Sequence, residues 1–359
     1  LFTNTTGTAN VAMGTEALVS NTTASNNTAV GYQAGYTNTS GAVNSAFGLQ
    51  ALYSNTTANN NSAFGALSLY SNTTGTANTA VGREALTANT TAAGSVAVGY
   101  QAAYSTTTGT NNLAVGNQSL LSNTTGINNI AVGSLALYNS TGTANTAIGA
   151  NSLQANTTAS NNIAVGYQAG LGLTTGSNCI FIGKGATESA VGTSNQTVLG
   201  TGVTCVGDSN FTFGGGSTDS NIAFGATSIS APSDQRYKED IADATAGLSF
   251  IKDLRPVTFK WKKEKDLPTS HRAYVEGSET RTINDYTNHG FIAQEVKTAI
   301  DAHSEIKDGF DMWCTDNQDD GGRQRIADGA LVPILVKALQ ELSAKNDALE
   351  ARITALEGN

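Results

Sequence analysis

Charge is nearly missing from the first two-thirds of this 359-residue chain. Residues 1–232 hold seven Asp, Glu, Lys or Arg side chains, whereas residues 233–359 hold forty. The long weakly charged part has two Asp and three Glu, too few to supply the paired carboxylates that glycoside hydrolysis needs. A Lys/Arg-rich block is also missing, and a net charge of −9 with a pI near 4.8 argues against nucleic acid as a partner. The three cysteines, Cys179, Cys205 and Cys314, lie too far apart for a disulfide framework or a metal site and read as small inert thiols. No run of eighteen apolar residues marks a transmembrane helix. No signal peptide is visible, and Leu1 falls in the middle of a repeating pattern, so further chain is expected before it. The length predicts about two domains at ~150 residues each.

What fills the weakly charged part is a repeat. A triplet, usually Ala-(Val/Phe/Ile)-Gly, places its glycine at Gly14, Gly31, Gly48, Gly65, Gly82, Gly99, Gly116, Gly133, Gly149, Gly166, Gly183 and Gly200. Every spacing is seventeen except the sixteen between Gly133 and Gly149, where the loop 138–142 is one residue short. The consensus is Asn-x-Ala-Val-Gly-x-x-Ala-Leu-x-x-Asn-Thr-Thr-Gly-x-x. Residues such as Ile130 and Val132 share one face of a short strand, and the small Ala131 between them faces a closely packed backbone. Glycine ends the strand with a bend that a Cβ would obstruct. Asn-Thr-Thr-Gly is turn chemistry. Asparagine recurs four residues before the glycine (Asn27, Asn44, Asn61, Asn78, Asn112, Asn129, Asn145, Asn162), which predicts a stacked amide ladder, with Cys179 replacing one rung.

A unit this short cannot bury its own apolar face, so the copies must stack as a solenoid. Twelve rungs at ~4.8 Å give a rod of roughly 55 Å. With three or four mostly small apolar residues per rung, three parallel chains are expected to share one core. The alternative is a solenoid closed within a single chain. The Asn-x-Ala-Val-Gly repeat resembles the heads of trimeric autotransporter adhesins and the repetitive shafts of phage tail fibres, although its period is longer than the usual adhesin-head repeat.

After a tapering neck the composition turns globular at Ser233-Asp234-Gln235-Arg236-Tyr237-Lys238. A serine followed five residues later by a lysine is the pair a serine–lysine hydrolase needs, since a desolvated neutral lysine can accept the hydroxyl proton. Val257 to Trp261 alternates as a strand, Glu295 to Ala302 reads as a helix, and the segments 262–288 and 308–328 read as polar loops, the second anchored by Trp313. From Ala330 a heptad places Leu335, Leu342, Leu349 and Leu356 at one seam position and Leu339, Asn346 and Ile353 at the other. That pattern suits a short coiled coil with Asn346 fixing register, or else one amphipathic helix packed on its own domain.

Four ordered motifs then carry a resemblance: Ser233-Asp234-x-Arg236-x-Lys238, Leu254-x-Pro256-Val257-x-Phe259-x-Trp261, His289-Gly290-Phe291-Ile292-Ala293-Gln294-Glu295-Val296, and Leu331-Val332-Pro333-Ile334-Leu335 leading into the heptads. Residues 233–359 resemble the intramolecular chaperone auto-processing domain found at the C-terminus of endosialidase tailspikes and many phage tail fibres. The resemblance implies a trimerising chaperone that folds the shaft ahead of it and then cuts itself off. It implies cleavage between Pro232 and Ser233, with Ser233 as nucleophile and Lys238 as general base. Asp234, Arg236 and His289 match the motifs as supporting residues, and structural roles are equally open to them.

The fold class expected is therefore mainly β. A 17-residue-repeat β-roll or β-prism solenoid, trimeric, spans 1–200 and a neck spans 201–232. An α+β chaperone domain follows at 233–329, and a trimeric coiled coil ends the chain at 330–359. The expected function is a phage tail-fibre or spike segment, placed in a virion tail fibre. The alternative is a bacterial surface adhesin or extracellular filament with the same chaperone. The expected partners are its own copies, an upstream virion or surface-attachment module, and a host surface glycan or protein. No cofactor and no metal are expected.

Overall fold

The computed structural model describes residues 1–359 apart from 217, 227, 231–232, 234, 270, 272, 307–309, 311, 316–323 and 359. The chain forms two compact units, Leu1–Asp234 and Gln235–Asn359. In the first, the strand triplets become β1 (Val11–Met13), β2 (Thr28–Val30), β3 (Ser45–Phe47), β4 (Ser62–Phe64), β5 (Thr79–Val81) and β6 (Val96–Val98). They continue as β7 (Leu113–Val115), β8 (Ile130–Val132), β9 (Thr146–Ile148), β10 (Ile163–Val165), β11 (Ile180–Ile182) and β12 (Gln196–Thr201). Each pairs in parallel with the next, at the same repeat position, in a sheet ordered strictly along the chain. The one-residue deletion is absorbed in a loop, because β8 and β9 still pair Ala131 with Ala147. The stack extends beyond the strands. Leu52 N–H donates to Ser68 O at 3.0 Å and Thr39 N–H to Thr56 O at 2.9 Å, so whole coils are hydrogen-bonded one upon the next.

Each coil closes its own core. The strand-centre residue points inward: Ala63, Ala80, Ala97, Ala114 and Ala131 are fully buried, joined by leucines such as Leu69, Leu86, Leu120 and Leu137. The core expected to be shared by three chains is therefore closed within one. The physical reason is the tight winding, which needs little apolar volume per coil because alanine lets opposite walls approach. The same winding explains the glycines. At Gly99 (φ +138°) a Cβ would lie 2.4 Å from the carbonyl oxygen of Gly116 in the next coil. It also drives buried leucines into the left-handed region, Leu69 at φ +49° and Leu86 at +52°, at roughly 1–2 kcal/mol each. The repeated inter-coil hydrogen bonds offset that strain.

The amide ladder differs from the expected one. The asparagines four before each glycine do stack, but each Oδ1 accepts a backbone N–H from the next coil (Asn61 N–H to Asn44 Oδ1, 2.9 Å) while Nδ2 donates to a carbonyl (Asn61 to Gly75 O, 2.9 Å). The side-chain-to-side-chain ladder is made instead by the turn asparagines of Asn-Thr-Thr: Asn89 Nδ2 donates to Asn72 Oδ1 and Asn72 Nδ2 to Asn55 Oδ1, both at 3.0 Å. Both rows are buried, where an unpaired amide is expensive. Cys179 keeps the ladder's backbone bond, its N–H donating to Asn162 Oδ1 at 2.8 Å, and burial pushes its thiol pKa up.

The parallel stack ends at β13 (Asn210–Gly215), on which β14 (Ser220–Ala223) folds back antiparallel.

In the second unit, α1 (Leu248–Asp253) precedes β15 (Val257–Phe259), which pairs antiparallel with β16 (Asn288–Gly290). Then come α2 (Ala293–Ala302), the antiparallel pair β17 (Trp313–Thr315) and β18 (Gln324–Ile326), and α3 (Leu331–Glu357). Phe250, Val296, Ile300, Met312, Leu331 and Ile334 form its core. Two features depart from the sequence reading. The short α1 gave no periodic signal, and part of the expected loop 308–328 is the β17–β18 ladder. In α3 the first turns pack on this unit through Leu331, Ile334 and Ala338, while the heptad residues Leu335, Leu342, Leu349 and Ile353 face solvent.

Candidate functional site

Ser233 is the first described residue after β14 and its neighbouring segment, and it is exposed. It falls at the end of the first unit. Arg236 and Lys238 fall at the start of the second, where Gln235–Tyr237 makes a single 3-10 turn and Lys238 N–H donates to Gln235 O at 3.0 Å. Pro232 and Asp234 lie outside the described residues. Arg236 and Lys238 are both exposed. His289 sits at the centre of β16 opposite Thr258, on the solvent side of that ladder.

The rest of the second unit is braced by charge pairs that the sequence did not single out. Arg255 and Glu295 form a two-pronged pair, Nε donating to Oε2 at 2.9 Å and Nη2 to Oε1. The hydrogen bonds of that pair lower the Glu295 pKa and raise that of Arg255. His303, at the end of α2, touches two carboxylates, Asp253 of α1 through Nε2 at 2.8 Å and Glu305 through Nδ1 at 2.9 Å. Hydrogen bonding to them, Asp253 first, holds the imidazole pKa above its ordinary value. Glu279 is bonded by both Lys263 and Lys265, which brings its carboxyl to about 2. Glu341 of α3 accepts the Leu248 N–H at 2.9 Å, tying the heptad helix to the start of α1. A Cβ on Gly247 would lie 2.7 Å from that carboxylate, so a side chain there would push the flexible end of Glu341 aside. An open cavity of about 760 Å³ lies beside Trp261, His271, Thr282 and Gln294. Among the described residues there is no group of three or more His, Cys, Asp or Glu placed to hold a metal ion. Among them, too, no helix is long and apolar enough to cross a membrane.

Residues 233–304 match the family model of the chaperone of endosialidase. The match begins at Ser233 and runs through α1, β15, β16 and α2. The stretch that is similar to this family therefore follows a β-solenoid shaft, and the family is associated with self-cleaving chaperone domains. No curated protein matches the chain, and no solved structure does.

Proposed function

We propose that this chain is a fibre or spike segment of a phage tail whose C-terminal chaperone gathers three copies, lets their shafts fold, and then cleaves its own chain between Pro232 and Ser233. The observation that carries this reading is the placement of the family match. It starts at Ser233, one residue before the last residue of the shaft unit, so a cut there would separate the shaft from the chaperone.

The chemistry needs no second substrate. The Ser233 hydroxyl oxygen attacks the Pro232 carbonyl carbon while Lys238 accepts the hydroxyl proton. The amide bond to the nitrogen of Ser233 itself breaks, that nitrogen takes the proton, and an ester links Pro232 to the Ser233 oxygen. Water then hydrolyses the ester, leaving a Pro232 carboxylate and restoring the serine hydroxyl. Lys238 acts only once it is desolvated, and neighbouring chains would provide that cover, which ties the cut to correct assembly. The exposed heptad face of α3 supports gathering of copies, because a coiled coil raises local concentration and sets register. Removal of the chaperone leaves a shaft held by its unfolding barrier.

The test is denaturing mass spectrometry of the protein beside Ser233→Ala and Lys238→Met. Two fragments meeting at Pro232–Ser233 in the wild type, with both variants whole, is the expected result. A wild type that stays whole after assembly would make the C-terminal unit a permanent cap instead.

A further inference from the structure

The outer face of the shaft's sheet carries one unbroken apolar row. The last residue of each strand triplet is, in order, Met13, Val30, Phe47, Phe64, Val81, Val98, Val115, Val132, Ile148, Val165, Ile182 and Leu199. None of these side chains is buried, and Met13 is 63% exposed, Phe64 40%, Val98 36% and Leu199 47%. No charged residue stands anywhere in β1–β12. The rows are well ordered, since Phe47 and Phe64 stack at 4.9 Å between ring centres.

This is an unusual state for a parallel sheet. Parallel sheets occur almost only with both faces covered, and here the inner face lies on the coil's own core while the outer face lies in water. Eight of its twelve side chains are at least 36% exposed, and they stand one above the next, a contiguous apolar surface of the kind that marks an interaction site.

From this geometry we infer that the row Met13 to Leu199 is the surface through which shafts of this same chain pack against one another, parallel and with like rungs level. The occupant is set by period and charge. A partner that fills an apolar row of twelve rungs without gaps must repeat every ~4.8 Å for roughly 55 Å. Another shaft of this chain has that period, that length and an equally uncharged face. Parallel alignment places the bulky Phe47 and Phe64 of each copy at the same level. The inference takes the number of copies, three, from the proposed function, and it changes the picture of the assembly: three closed solenoids abut, rather than three chains sharing one core.

The test uses the full chain in a Cys314→Ser background, because Cys314 is exposed whereas Cys179 and Cys205 are buried. Val98→Cys is compared with Thr91→Cys, which lies in an exposed turn of the shaft. Each is treated with a short bismaleimide, and sedimentation gives the oligomeric state. A trimer whose chains cross-link in the Val98→Cys variant, and stay separate in the Thr91→Cys variant, supports the interface. A trimer in which Val98→Cys leaves the chains unlinked, or Thr91→Cys links them instead, overturns the interface and leaves the trimer standing. A monomer overturns both.

Discussion

Arg255 grips Glu295 with two nitrogens, one prong at 2.9 Å, across forty residues of chain. The pair joins the segment entering β15 to the first turn of α2, while Val257 of β15 pairs with Gly290 of β16 just before that helix. Two sequence motifs that look independent, Leu-x-Pro-Val-x-Phe-x-Trp and His-Gly-Phe-Ile-Ala-Gln-Glu-Val, are thus one strand pair and one ionic clasp.

Removing either partner should loosen the second unit slightly. Both tryptophans, Trp261 and Trp313, belong to that unit, so tryptophan fluorescence in the full chain reports its unfolding alone. Arg255→Ala and Glu295→Ala should each lower the fluorescence melting temperature, and the double variant should lower it no further than the worse single. The difference should shrink in high salt, because the pair is exposed.

His303 gives this unit a pH dependence of defined sign. Its folded-state pKa is raised by Asp253 and Glu305, so its contribution is complete below the unfolded value of ~6.5 and is lost as pH rises through the folded value. The Glu305 shift runs the other way, but its window is acidic. The fluorescence melting temperature should therefore fall between pH 6 and pH 8, and His303→Gln should flatten that slope.

In the shaft, Gly170 and Phe181 compensate one another. Where most other coils bring a leucine inward, this one has Gly170, and the next coil replaces the usual strand alanine with fully buried Phe181. A Cβ on Gly170 would lie 2.8 Å from the Phe181 ring. Phe181→Ala should cost about 3–5 kcal/mol in chemical denaturation followed by circular dichroism. Gly170→Leu with Phe181→Ala restores the pattern of the other coils and should recover most of it. Gly170→Leu alone should be worse than wild type, since the ring and the leucine claim the same space.

The turn-asparagine ladder should be intolerant at its centre. Asn72 accepts from Asn89 and donates to Asn55, and all three are fully or nearly fully buried. Asn72→Ala strands an acceptor on one neighbour and a donor bond on the other, with an expected loss of about 1–3 kcal/mol. The same change at the exposed Asn60 should fall within the ordinary surface range of about 0.5 kcal/mol, allowing for its left-handed φ of +60°.

If the exposed heptad residues of α3 gather the chains, Leu342→Asp with Leu349→Asp should yield monomers by sedimentation. Under the proposed coupling of cutting to assembly, the same variant should remain uncut at Pro232–Ser233. Cleaved monomers would separate the two events.

Much of this architecture was legible because the repeat constrains itself. A glycine every seventeen residues, a small residue inside each triplet and a turn sequence between them admit stacking and little else, and the parallel register of β1–β12 follows from period alone. The start of the family match at Ser233 was legible from the motifs that begin there. Other features depended on three-dimensional proximity. Which asparagine row would bond amide to amide depended on which row the winding turned inward with its amides in line. Whether the core would be shared between chains depended on how closely opposite walls of one coil approach, a distance set by left-handed backbone positions at residues such as Leu69 and Leu86 that carry no sequence mark. The pairs Arg255–Glu295, Asp253–His303 and Leu248–Glu341 join residues forty to ninety-three positions apart, and single-sequence patterning has no term for such distances. The sequence by itself determined the stacked coils of the shaft and their period, because these are local and repeated. Only the tertiary structure decided which face of the rod stays apolar and uncovered, because that depends on which way each three-residue strand turns when its coil closes.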